Sequence, residues 1–217
     1  AQHLESAMAG KGVKLLKNAD SARIDASGVT LVDGTRVPAE LVIVSAGVRA
    51  NIRLAKDAGI AVERHITVDN HMRTNLPDVY AAGDAAQALE LISGEPRVLG
   101  IWKTAALQGQ CAGRAIAAEL AGREPDAADA YRGAIMTNTI AVDGTLFISA
   151  GQSQAAPSQR VEVREDDGMT VACIFDPAPD GERLVGFNVT SDTDEPGGLA
   201  YDTGAMLTLR IEEAFRR

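Results

Sequence analysis

The sequence predicts a mixed α/β protein whose carboxy-terminal part is an antiparallel sheet closed by one helix. Three observations carry this reading. The run LVIVSAGV at 41 to 48 is continuously apolar, as a strand covered on both faces would be. The stretch GIWKTAALQGQCAGRAIAAELAG at 100 to 122 is rich in Ala, Gly and Leu and reads as a helix. Beyond residue 131, short runs of β-branched and aromatic residues alternate with Asp-Gly turns, the pattern of hairpins.

The elements follow in order. HLESAMAGKG reads as the tail of a helix ended by Gly10 or Gly12, and VKLL at 13 to 16 as a short buried strand. ARI at 22 to 24 and VTLV at 29 to 32, with a tight turn around Asp33-Gly34, make a hairpin meander that leads into LVIVSAG. LAKDAGIAV, 54 to 62, is a short helix stopped at Gly59, and ITVDNHMRT, 66 to 74, is extended with a turn at Asp69-Asn70.

RTNLPDVYAAGDAA, 73 to 86, comes next. Pro77 and Asp78 punctuate it, Val79 to Ala82 is strand-like, and Gly83-Asp84 falls where that strand would hand over to a loop. Open α/β sheets bind ligands at the carboxyl ends of parallel strands. A carboxylate there accepts hydrogen bonds from vicinal hydroxyls, and small neighbours let a bulky ligand approach. The stretch therefore suits a sugar-like or ribityl chain; the structural alternative is a plain turn.

Residues 121 to 131 form a polar connector. The strands TNTIAV, TLFISAG, QRVEVRE, MTVACIF and RLVGFNVTS follow, with turns at Asp143-Gly144 and Asp167-Gly168, which predicts an antiparallel sheet of about five strands. The last twenty residues read as a helix capped by Thr193 or Asp194.

Composition excludes several functions. The net charge of −9, with Lys and Arg dispersed among acids, disfavours nucleic acid. Cys111 and Cys173 lie far apart without a CxxC, which argues against a disulfide framework and for a reducing, cytoplasmic setting. His3, His65 and His71 are too scattered for a metal set, and no apolar run approaches the length of a membrane helix. GKGVK at 10 to 14 lacks P-loop spacing, and SDTDEP at 191 to 196 lacks the glycine of a calcium loop.

The pattern T-x-x-P-x-V-Y-A-x-G-D, Thr74 to Asp84, resembles the second flavin-binding motif of the FAD-dependent pyridine nucleotide-disulfide oxidoreductases. Downstream, W-x-x-A-x-x-Q-G-x-x-A-G at Trp102, Ala105, Gln108, Gly109, Ala112 and Gly113 is similar to the flavin-domain helix of the rubredoxin reductase, NADH oxidase and nitrite reductase subgroup. The resemblance implies three parts. Residues 1–53 would be the carboxy-terminal part of an NAD(P)H-binding domain, 54–121 the second segment of a FAD-binding domain, and 122–217 an interface domain.

It also implies FAD and NAD(P)H as cofactors, hydride transfer from NAD(P)H to FAD, and electrons passed to an acceptor such as a small electron-carrier protein. Gly83 and Asp84 would face the ribityl chain, and Trp102, Lys103 and Thr104 the pyrimidine end. No catalytic acid, base or nucleophile stands out, and no metal site is expected. Neither G-x-G-x-x-G turn of the family occurs in the sequence, so the chain reads as the carboxy-terminal half of such an enzyme, inactive alone. Whether that half holds FAD is left open, and it is expected to be dimeric, unstable or dependent on contacts a missing half would supply. Two alternatives stand beside this reading: an NADH oxidase or coenzyme A disulfide reductase branch, and a non-catalytic interaction or dimerisation fragment without flavin.

Overall fold

A computed structural model describes residues 2–142, 144–166, 168–179, 181–193 and 198–215. It is mixed α/β, as the sequence predicts, and divides into a unit of residues 1–49 and a unit of residues 50–217. Asp143, Asp167 and Asp194, with Glu195 and Pro196 of the SDTDEP stretch, lie outside the described residues.

In the first unit, α1 (Gln2–Gly10) ends where Gly12, at φ 76°, donates its N–H to the Ala9 carbonyl at 2.9 Å. β1 (Ser21–Asp25), β2 (Gly28–Leu31) and β3 (Arg36–Pro38) form the antiparallel meander expected. The Asp33 carboxylate closes its turn by accepting the Thr35 N–H at 2.8 Å.

Two expected strands are absent. VKLL at 13 to 16 and LVIVSAG at 41 to 47 have no regular structure and sit mostly exposed; Ile43 is 82% accessible. The cause is pairing. A strand buried on both faces needs a neighbour on each edge and layers above and below, and among the described residues no strand lies beside either run.

The second unit begins with α2 (Arg53–Asp57), which Gly59 at φ 76° stops as expected. β4 (Ile66–Thr67) pairs parallel with β5 (Ala86–Leu89), and β5 pairs antiparallel with β6 (Pro96–Arg97). The sequence did not mark β5 or β6, which are too short to show a period. α3 (Trp102–Leu120) packs against them around Met72, Ala88, Leu99, Cys111, Ala112, Tyr131 and Ala134.

Five strands then form one antiparallel sheet. They are β7 (Thr137–Val142), β8 (Thr145–Gly151), β9 (Arg160–Asp166), β10 (Met169–Ala178) and β11 (Gly181–Ser191), in the spatial order β7-β8-β11-β10-β9. Alternation along β8 buries Leu146, Ile148 and Ala150 on one face. Against that face lies α4 (Leu199–Phe215), whose Leu207 and Ile211 complete a core with Phe187 and Val189. The helix approaches closely because Gly204 has no side chain: a Cβ there would lie 3.0 Å from Ile148 Cγ2. Thr193 is not its cap, since the helix starts at Leu199 and the Gly198 carbonyl accepts the Tyr201 N–H. Among the described residues no helix is long and apolar enough to cross a membrane.

Candidate functional site

The Gly83-Asp84 motif sits in a short 3-10 turn, Gly83–Ala85, with Gly83 at φ 75°. A positive φ of this size strains any residue with a Cβ, so the backbone here demands glycine. The turn leads into β5, and in this it differs from the expectation of a strand before it. Residues 79 to 82 are extended but bond back on 72 to 74: the Thr74 N–H donates to the Val79 carbonyl, and the Ala81 N–H to the Met72 carbonyl. This local ladder is one bridge long, Arg73 to Tyr80, because Pro77 and Asp78 fold the chain back at once. Asp84 is exposed.

Beside this turn stands the amino end of α3. Ile101 is extended and supplies no side-chain cap. The first N–H groups of a helix lack partners within it and carry roughly half a positive charge, so an uncapped end is open to acceptor atoms. In this first turn Trp102 is 85% accessible. Lys103 Nζ lies 3.6 Å from the Glu212 carboxylate of α4. Thr104 is buried, and its hydroxyl has no hydrogen-bond partner among the described residues. A buried hydroxyl left unpaired costs about 1–3 kcal/mol, so Thr104 Oγ1 has a bond in reserve.

Gln108, one turn further along α3, fixes the two parts together. It is 2% accessible, and its side-chain oxygen accepts the Gly83 N–H at 2.7 Å. The same approach puts Ala105 Cβ 3.5 Å from where a Gly83 Cβ would stand. The structure therefore brings Gly83, Asp84, Trp102, Lys103 and Thr104 into one neighbourhood, from stretches some twenty residues apart. Gln108 and Glu212 belong there too. The sequence motif contains Gln108 but shows no role for it, and nothing in the sequence marks Glu212.

The other end of α3 is anchored separately. Arg73 pairs with Glu119 and, at 3.3 Å, with Glu124. The Tyr80 hydroxyl first, then the Arg73 guanidinium, hold the Glu119 carboxyl below its usual range, while burial pushes the Tyr80 phenol up. Midway along the helix, Cys111 is fully buried and its thiol donates to the Asp129 carbonyl at 2.7 Å. Burial raises that thiol, which makes it a packing group and not a nucleophile. Asp129 is held low by its hydrogen bond from Arg123.

A reductase of Aeromonas salmonicida, the nitric oxide reductase FlRd-NAD(+) reductase, is 42% identical over 92 residues, covering 40% of this chain and 24% of that protein. The epsilon subunit of the NADH-dependent phenylglyoxylate dehydrogenase of Aromatoleum evansii is 32% identical over 97% of this chain and 48% of its own length. Among solved structures, the NAD-dependent persulfide reductase from A. fulgidus superposes with a TM-score of 0.82 at 20% identity, over 99% of this chain and 41% of that one. The chain thus spans between about a quarter and a half of the length of these relatives. The model of the pyridine nucleotide-disulphide oxidoreductases matches residues 1–109, half of the sequence. The chain belongs to the pyridine nucleotide-disulphide oxidoreductase family.

Proposed function

We propose that this chain is part of a FAD-dependent NAD(P)H oxidoreductase and contributes one wall of its flavin site. The observation that carries the reading is the bond between Gln108 and the Gly83 N–H, which sets a carboxylate-bearing turn beside an uncapped helix end. The residues present fit a flavin. Thr104 offers an unused buried hydroxyl, the α3 N–H groups offer donors, and Asp84 offers an acceptor for chain hydroxyls. When bound, FAD would take a hydride from NAD(P)H and pass electrons to an acceptor.

Each residue has its part. Asp84 accepts hydrogen bonds from the ribityl hydroxyls, and Gly83 keeps the backbone close to them. Trp102, Lys103 and Thr104 face the pyrimidine end, where the amino end of α3 stabilises negative charge by its dipole. In the wider division we assign residues 1–53 to an NAD(P)H-binding domain, 54–121 to the FAD domain and 122–217 to an interface domain. That last part would serve homodimerisation, in a cytoplasmic protein whose acceptor is a small electron carrier. The names of the relatives support nicotinamide dependence and leave several acceptors in view.

Asp84→Ala tests the reading. In the protein purified with its flavin, the variant is expected to lose visible flavin absorbance at least tenfold more readily on dialysis, while its flavin-free form keeps an unchanged melting temperature because the side chain is exposed. Full retention of flavin by the variant would remove Asp84 from the site.

A further inference from the structure

A buried carboxylate needs a reason to be where it is. Glu212 lies on α4, is 7% accessible, and has Lys103 Nζ at 3.6 Å from its Oε1. Lys103 carries its charge on a flexible four-carbon stem, and its side chain is 55% accessible. An unanchored lysine at a helix amino end would swing into water, because the helix dipole repels a cation there. The pair therefore works against the local field, and the carboxylate that holds it comes from a different layer of the molecule.

Resting on the flavin reading above, we propose that Glu212 is a positioning residue that tethers the Lys103 ammonium at the amino end of α3, so that the carboxy-terminal helix sets the charge met by a reduced flavin. With the tether, a positive charge stays beside the region where a reduced flavin gathers negative charge. Without it, the ammonium disperses into solvent and is screened. Glu212 acts through Lys103, so removing either residue, or both, has the same consequence.

Two measurements test this. The first needs no flavin. The chain has five lysines, Lys11, Lys14, Lys17, Lys56 and Lys103, so reductive 13C-methylation gives a resolvable NMR spectrum. The Lys103 signal is expected apart from the exposed lysines in the wild type and among them in Glu212→Gln. A Lys103 signal already among them in the wild type overturns the tether.

The second is a cycle of Glu212→Gln, Lys103→Met and the double variant in the flavin-loaded protein, read as the midpoint potential. Each single variant is expected to lower the potential, with the ratio of reduced to oxidised flavin affinity falling about two- to fivefold. The double variant should match the singles. A rise in Glu212→Gln, or additive shifts, overturns the proposal in favour of a direct charge effect. Loss of flavin from every form, with the NMR difference intact, would instead sink the flavin reading and this inference with it, leaving a purely structural pair. Far-UV circular dichroism on each variant keeps misfolding from passing as either result.

Discussion

Gln108 shows how one side chain can hold two sequence motifs together. Its amide is buried, and its oxygen is the acceptor for the backbone N–H of the left-handed Gly83. Gln108→Leu leaves that half-buried N–H without its acceptor, at a cost of about 1 kcal/mol. The expected result is a lower melting temperature of the flavin-free protein together with faster flavin loss, whereas Asp84→Ala brings only the faster flavin loss. The acids at the far end of the helix add a pH dependence. Asp129 and Glu119 both have folded values below the unfolded one, so their stabilisation is complete above about pH 5 and is lost as pH falls below about 4. Thermal melts from pH 7 down to 2 should show this fall. In Asp129→Asn the curve should start lower and flatten over the acid range.

Helices and strands were legible where their signals are local. The five-stranded sheet was read from alternation and Asp-Gly turns, and both glycine-stopped helices ended where expected. VKLL and LVIVSAG misled because apolarity says that a segment wants cover, while a strand also requires a partner that only the fold can supply. The site was half visible for the same reason: motif spacing marked Asp84 and Trp102, but the acceptor for Gly83 and the carboxylate of Glu212 depend on contacts 25 and 109 residues away along the chain. The α4 contact gives the test proper to this scale. Gly204→Val puts a branched side chain against Ile148, at about 1–3 kcal/mol for overpacking. Urea unfolding should show a lowered midpoint, and Ile148→Ala in the same protein should recover part of it.

Across the whole molecule the division at Arg49 dominates. Residues 41 to 50 have no regular structure, are mostly exposed and lie without a neighbouring strand among the described residues, so proteases can bind them without prior unfolding. Brief trypsin digestion is expected to cut first at Arg49 or Arg53 and to leave a stable piece beginning near residue 50; early cleavage inside the five-stranded sheet would contradict this order. Within that larger unit, α3 reaches from the candidate site to the Arg73 and Glu119 anchor, with Cys111 at its midpoint, nine residues from either end. At 1.5 Å per residue each arm is about 13 Å long. The helix is thus held at three stations, by Gln108 near its start, Cys111 at its middle and Glu119 at its close, which fixes its axis as well as its position.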